Sequence, residues 1–293
     1  MIKKRIKWYV IKVSFVLGGK LVKKFNRKER VAAIMNILTE KTNHVFTYNY
    51  FTEMFGTAKS SISEDIMIVK ELVQDLKLGK IITISGASGG VKFIPTISKE
   101  EAEKFLNDIS LKLRDNDRII TGGFMYMTDL LYSPNVSYRI GRIFATKYWD
   151  ENIDYVVTVE TKGIPLAMMT AKVLNVPLVI IRRNLKVTEG PTVSINYVTG
   201  STRKIQTMSL SRKALKENSK VLIIDDFMKA GGTARGIKDM MNEFNAEVVG
   251  TGVLISTPEP KEKLIKEYTA LLNLESINDL NNEIRLTPNN DIF

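Results

Sequence analysis

Residues 221–233 read Val221-Leu222-Ile223-Ile224-Asp225-Asp226-Phe227-Met228-Lys229-Ala230-Gly231-Gly232-Thr233 and run into a helix-prone stretch from Ala234. Four consecutive apolar residues bounded by a turn signal read as a buried strand. That strand delivers two carboxylates, Asp225 and Asp226, to its end. Phe227, Met228, Lys229 and Ala230 form a loop, and Gly231 and Gly232 close it. The backbone N–H groups of such a loop, at a helix N-terminus, favour a phosphate. Thr233 adds a hydroxyl donor. Two acids ahead of a phosphate cradle do not suit a nucleotide-triphosphate loop. They suit a ligand with sugar hydroxyls on one side and a phosphate on the other.

Outward from this stretch the same rhythm repeats. Val136 to Trp149 reads as helix, Tyr155 to Val159 as strand and Gly163 to Leu174 as helix. Leu178 to Ile181 and Val248 to Ile255 are further apolar runs. Buried strands alternating with helices indicate an α/β domain with a parallel sheet, whose ligands bind beyond the carboxyl ends of the strands. A second loop at such an end is Glu160-Thr161-Lys162-Gly163-Ile164-Pro165, where small residues and Lys162 suit another phosphate group. Lys186 to Ser209 is polar, contains Gly190, Pro191 and Gly200, and is expected to be a mobile loop near the site. Met240, Met241 and Trp149 are expected in packing, and the polar tail from Asn278 to Phe293 is expected to fray.

The chain before this domain has a different pattern. Asn26 and Glu29 form a capping box ahead of an apolar stripe at Val31, Ile34, Met35 and Leu38. Thr47 caps a second short helix, which Gly56 ends. A third helix starts near Ala58, with Ser61 and Glu64 as a capping pair and a buried stripe at Ile62, Ile66, Val69, Val73 and Leu76. Two β-prone runs, Ile81 to Ser85 and Val91 to Ile94, flank a Gly-rich turn. Three helices and a hairpin make a winged helix-turn-helix, in which the third helix points its N-terminal end at DNA bases. That end carries Lys59, Ser60, Ser61 and Ser63, residues able to bond phosphates or base edges. Lys92 on the hairpin is expected to reach the DNA backbone. His44 falls in an inter-helix turn and reads as a solvated residue.

Residues 22–97 are thus read as a DNA-binding domain, 98–116 as a connecting helix packed on one domain, and 117–293 as the ligand-binding domain. The charge follows this division. Residues 1–97 hold 17 basic and 7 acidic side chains, whereas 98–293 hold 26 and 25. The basic third is the mark of a module for a polyanion. Residues 1–21 contain six basic residues, no acid and an apolar stretch interrupted by Lys12. They are too short to span a bilayer and have no cleavage site, so they read as leader or a mis-assigned start, with Val22 as the alternative. Nothing else approaches membrane-spanning length, which predicts a cytoplasmic protein. With 293 residues, 44% hydrophobic and 26% charged, the chain can fill two cores. The lack of cysteine excludes disulfides and thiolate metal sites, and a single histidine argues against a multi-histidine metal site and a Ser-His pair.

The segment Asp225 to Thr233 resembles the phosphoribosyl-pyrophosphate (PRPP) signature of type I phosphoribosyltransferases. The resemblance implies that Asp225 and Asp226 bind ribose hydroxyls and that Phe227 to Thr233 hold the 5′-phosphate. Thr161, Lys162 and Gly163 would form the pyrophosphate loop, often with a non-proline cis peptide. Residues 117–256 are similar in layout to xanthine phosphoribosyltransferase, including the Arg182-Arg183 pair. The whole chain resembles the purine operon repressors of Gram-positive bacteria. Ala58 to Asp65, Thr161 to Leu166, Lys186 to Gly190, Val193 to Val198, Ile205 to Leu210 and Val221 to Thr233 carry that likeness. It implies a homodimer that binds double-stranded DNA at purine operon control sites and is released by PRPP, with magnesium accompanying the ligand. The alarmone ppGpp would compete at the same site, and Arg183 would join it.

The resemblance leaves a choice between a sensor and an enzyme. Transfer requires two substrates aligned in a dry site. The signature departs from the enzymes at Phe227, Lys229 and Ala230. A lysine in the phosphate loop holds an anion without helping a leaving group, and Phe227 is placed to fill the base pocket. The expected function is therefore a repressor with no catalytic residue and no catalytic cofactor. The alternative is an active purine or xanthine phosphoribosyltransferase with an appended nucleic-acid-binding domain.

Overall fold

The computed structural model describes residues 25–86, 89–183, 190–199, 204–278 and 281–293. The N-terminal extension 1–21 lies outside the described residues. Helix α1 (Arg27–Glu40) starts on the expected box: the Glu29 amide donates to Asn26 Oδ1 and the Asn26 amide to Glu29 Oε2, both at 3.0 Å. Two of the amides a helix start leaves without partners are satisfied in this way. Strand β1 (Phe46–Thr47) leads into α2 (Tyr48–Phe55), capped by Thr47 and ended by Gly56 in the left-handed region at φ +59°. Helix α3 (Lys59–Asp75) follows, then the antiparallel hairpin of β2 (Lys80–Ile84) and β3 (Gly90–Ile94). The sheet order β1-β3-β2 completes a winged helix-turn-helix.

Two details of α3 differ from the sequence reading. Its N-cap is Ala58, which makes no side-chain cap bond, and Ser61 lies inside the first turn. Leu76 is exposed because it is the C-cap, one residue past the last full turn. The rest of the stripe, Ile62, Ile66, Val69 and Val73, is buried against Ile34, Leu38, Phe51 and Phe55. Asp65, fully buried, accepts from Arg30 Nε at 2.7 Å and fixes α3 against α1.

Helix α4 (Lys99–Leu113) packs on the C-terminal domain. Its Ala102, Phe105, Leu106 and Ile109 enter that domain's core, and Ser110 Oγ donates to the Leu286 carbonyl at 3.0 Å. A small hairpin, β4 (Ile119–Ile120) and β5 (Phe124–Met125), turns on Gly122 and Gly123, both at positive φ. Then come α5 (Thr128–Leu131), α6 (Pro134–Tyr148), β6 (Tyr155–Val159), α7 (Ile164–Leu174) and β7 (Leu178–Ile181). Strands β8 (Thr192–Val198) and β9 (Ile205–Ser211) form an antiparallel hairpin, so the described part of the stretch expected to be a mobile loop is mostly strand. The chain closes with β10 (Lys220–Met228), α8 (Gly232–Glu243), β11 (Glu247–Ser256), β12 (Thr269–Asn278) and β13 (Glu283–Pro288).

The main sheet runs β13-β12-β11-β10-β6-β7, parallel except for β13. The tail therefore does not fray. Strand β13 buries Ile284 and Leu286, and Ile292 is buried beyond it. Alternation along β10 sends Leu222 and Ile224 into the core with α6 and α7, and Val221 and Ile223 into the core with α8 and the β8–β9 hairpin. Met240 and Met241 are fully buried in the second core. Adjacent strands β6 and β10 thus feed helices on opposite faces. This is a topological switch point, where a crevice opens at the carboxyl ends.

Candidate functional site

Both loops singled out in the sequence meet at this crevice. Strand β10 continues through Met228, so Asp225 and Asp226 sit inside its last turn of pleat and not beyond its end. Asp225 is buried, and its Oδ1 accepts the Asp226 amide at 2.9 Å. Burial, and then the Asp226 charge, hold the Asp225 carboxyl well above the usual carboxylate range, with Arg183 opposing the shift. Gly231 takes φ +80° and serves as the N-cap of α8 with no side-chain bond to the first turn. The first-turn amides of α8 therefore have no capping side chain, and the loop ahead of them carries the cationic Lys229.

The β6–α7 loop approaches from the other side. Its Glu160–Thr161 peptide is cis. Gly163 is buried against Asp225: a Cβ there would meet Asp225 Oδ1 and Thr158 Oγ1, each at 2.5 Å. Close approach of the two loops is what requires this glycine. Glu160 accepts the Arg183 amide at 2.7 Å and faces Arg182 Nη1 at 3.4 Å, which ties the end of β7 to the loop.

A cavity of about 740 Å³ fills the crevice. Lys162, Arg183 and every residue from Asp225 to Thr233 line it. Thr161 and Gly163 flank Lys162 in the loop but lie off the cavity wall. Sequence reasoning missed the apolar part of the lining. It consists of Phe124, Met125 and Met127 from the β4–β5 region, with Leu274 and Ile277 from β12. Phe227 is half-buried; it lines the cavity and packs against the main core. The Gly122-Gly123 turn was the available signal for the first of these. The lining thus combines apolar contacts with carboxylates, cations and a helix N-terminus. Among the described residues no cluster of acids and histidine has the makings of a metal site. No described helix is long and apolar enough to cross a membrane.

In the N-terminal domain the structure separates the predicted residues. Lys59 and Ser60 are exposed at the start of α3, and Ser61 and Ser63, the next serines along it, are half-exposed. Lys59 Nζ stands 5.7 Å from the Tyr48 ring, held near the helix start. Lys92, expected to reach the DNA backbone, is engaged within the protein. Its Nζ donates to Asn43 Oδ1 at 2.9 Å and lies 5.8 Å from the Trp149 ring of the C-terminal domain. Asn43 in turn donates to the Leu174 carbonyl at the end of α7 (3.0 Å), and Thr42 Oγ1 to the Lys172 carbonyl (3.0 Å). Arg142 of α6 reaches the Thr96 carbonyl at 2.6 Å. Lys92 belongs to this seam between the domains and is not spread toward solvent. His44 is exposed, with its ring edge on Phe46 at 4.7 Å.

Comparison with known proteins agrees with both halves. The family described as "Bacterial purine repressor, N-terminal" matches residues 26–95, and "Phosphoribosyl transferase domain" matches residues 127–286. The purine biosynthesis transcriptional repressor PurR of Bacillus subtilis is 46% identical over 91% of this chain and 94% of its own length. The chain belongs to the PurR family of purine biosynthesis transcriptional regulators. A Lactococcus lactis relative, 38% identical over 88% of this chain and 95% of its own, is named an activator. A xanthine phosphoribosyltransferase of Lactococcus lactis is 35% identical over 60% of this chain and 96% of its own. Among solved structures, adenine phosphoribosyltransferase from Thermoanaerobacter pseudethanolicus superposes with a TM-score of 0.50 at 19% identity, covering 57% of this chain and 99% of that one. That likeness is one of fold.

Proposed function

We propose that this protein is a cytoplasmic, homodimeric transcription repressor. It binds double-stranded DNA at control sites of purine genes through Lys59, Ser60, Ser61 and Ser63. It senses PRPP in the 740 Å³ cavity, where PRPP releases it from DNA and ppGpp competes. The observation that carries the reading is one chain holding both an exposed recognition-helix start and a crevice that joins paired carboxylates to a phosphate cradle. Asp225 and Asp226 would accept from ribose hydroxyls. The Lys229 to Thr233 loop would hold the 5′-phosphate, and Lys162 with Arg183 the pyrophosphate, magnesium accompanying it. Two ligands of different affinity for two states of the protein make a switch. Phe227 on the cavity wall and the extra cation at Lys229 favour holding an anion over turning it over. The repressor sense follows the Bacillus subtilis relative.

The test is binding of the purified protein to DNA upstream of a purine biosynthesis operon, with and without Mg–PRPP, across a salt series. Tight, steeply salt-dependent binding that PRPP relieves is expected. A second reading, an active purine phosphoribosyltransferase, is favoured by the intact carboxylate pair and by the xanthine phosphoribosyltransferase relatives. Formation of nucleotide from PRPP and a purine base, with no DNA binding, would establish it. Deletion of the gene separates repression from activation by the direction in which purine-gene transcript levels move.

A further inference from the structure

A half-buried lysine sits behind the phosphate loop, outside every motif. After β11 the chain runs through residues 257–268 before entering β12. Lys263 Nζ donates to the Lys229 carbonyl, to the Thr257 carbonyl at 2.7 Å and to the Pro260 carbonyl at 3.5 Å. The next amide, Leu264 N–H, donates to the Ala230 carbonyl at 2.9 Å. The Thr257 amide donates to the Met228 carbonyl at 3.2 Å. Three consecutive carbonyls of the loop are thus held by one segment. Ile265, buried in a small cluster with Met228, Ala234, Val253 and Ala270, packs under Gly231.

The consequence follows from the planarity of the peptide. In a trans peptide the C=O of one residue and the N–H of the next point in opposite directions. Lys263 and Leu264 lie off the cavity wall, so fixing the Lys229 and Ala230 carbonyls toward them turns the Ala230 and Gly231 N–H groups away from that pair, and both Ala230 and Gly231 line the cavity. Those are the donors that a phosphate at the start of α8 requires. An ammonium with three donors suits this post, because one side chain can hold carbonyls from three residues in one geometry.

We propose that Lys263 is a positioning residue that presets the phosphate cradle before ligand arrives, so that the 5′-phosphate meets amides already turned toward it. This rests on the assignment of the cradle to the 5′-phosphate of PRPP. Preset donors bind more tightly because the ordering cost is met in folding and not in binding. Burial holds the Lys263 ammonium below the ordinary lysine range, with Glu259 opposing that shift.

The test compares Lys263→Met with Lys261→Met, an exposed lysine of the same segment, as control for net charge. Calorimetry with Mg–PRPP, ribose 5-phosphate and inorganic pyrophosphate reads the full ligand, the cradle and the β6–α7 loop separately. Lys263→Met is expected to weaken PRPP and ribose 5-phosphate together by about tenfold or more, the scale of a lost charged hydrogen bond. Pyrophosphate affinity and DNA binding are expected to stay at the level of Lys261→Met. If Lys263→Met does not fold, Lys263→Gln, which keeps two donors, is expected to fold and to show a smaller loss of the same pattern. Unchanged ribose 5-phosphate affinity would overturn the brace while leaving the PRPP site standing. Equal loss of all three ligands would reduce Lys263 to a structural residue. Absence of PRPP binding in the wild type would remove both the brace and the site it serves.

Discussion

Of the helices that begin without a side-chain cap, α3 and α8 differ most in what surrounds that beginning. Helix α3 starts at Ala58, whose side chain caps nothing, and presents Lys59 and Ser60 to open solvent. Helix α8 starts at Gly231, equally uncapped, but at the bottom of a crevice with two carboxylates ahead of it and a braced loop behind. A helix start offers N–H groups to any anion. Its surroundings decide which anion. An open start on a rigid three-helix frame suits a polymer that brings its own shape. An enclosed start flanked by hydroxyl acceptors suits one small molecule of fixed length.

The sharpest way to break the comparison is to strip the enclosed site of its acceptors. Asp225→Ala with Asp226→Ala removes two carboxylates expected to bond ribose hydroxyls, each such charged bond contributing about 1.5–3 kcal/mol. PRPP affinity is expected to fall by roughly two orders of magnitude or more, while DNA affinity without ligand stays unchanged. A gel-shift titration of PRPP against operator-bound protein reads both. Normal relief by PRPP in this variant would move the ligand out of the crevice.

At the open helix start a smaller loss is expected. Lys59→Ala should weaken operator binding by about 1–3 kcal/mol if the side chain reaches a base, and leave random DNA nearly unaffected. Fluorescence anisotropy on both duplexes separates the cases. Equal losses on both would make Lys59 a phosphate contact, so that α3 would position the domain without reading sequence.

The enclosed site also has a cost that the open one lacks. Burial and the Asp226 charge raise the Asp225 carboxyl, so the folded chain keeps a proton that the unfolded chain has released. That window opens above the ordinary carboxylate value of about 4. Across it stability falls as pH rises, until Asp225 titrates in the folded state. Asp225→Asn removes the titrating carboxyl and with it this slope. The variant is expected to melt higher than wild type at pH 7–8, by about 2–4 °C for each kcal/mol recovered in a chain of this size. A thermal melt series from pH 5 to pH 8 checks the sign, and a lower midpoint for Asp225→Asn at pH 8 would contradict it.

The same contrast explains what could be read without coordinates. The β10–α8 segment is contiguous, so its strand, carboxylates, glycines and helix start were legible in one stretch. The stripes of α1 and α3 were legible because each helix has a polar face toward solvent. The apolar wall of the cavity was not, since Met125 and Leu274 come together only through the sheet order. The β8–β9 hairpin and β13 were misread from polar composition. Yet both carry alternation, Val193, Ile195 and Tyr197 in one and Ile284 and Leu286 in the other, on the side that packs. Period, not polarity, was the informative signal there. Lys263 was invisible because its acceptors are backbone carbonyls, which any sequence has.

Lys92 gives the finest test of the comparison, because sequence placed it at the open surface and the structure places it at a closed seam. A lysine on a wing ordinarily meets DNA phosphate. Such a contact would show on Lys92→Met as a uniform loss of affinity, with the salt slope reduced by about one. Here the ammonium is engaged by Asn43 and stands over Trp149, and Asn43 continues the chain of bonds to the end of α7. That helix begins at the loop that carries Thr161 to Gly163. With its charge already committed inside the protein, Lys92 has little to offer a phosphate. The Lys92→Met variant should therefore keep the wild-type salt slope on operator DNA within about half a unit, well below the unit expected for a lost phosphate contact. A slope reduced by a full unit would mean that the Asn43 contact opens when DNA binds, and that the wing is as open a surface as the start of α3.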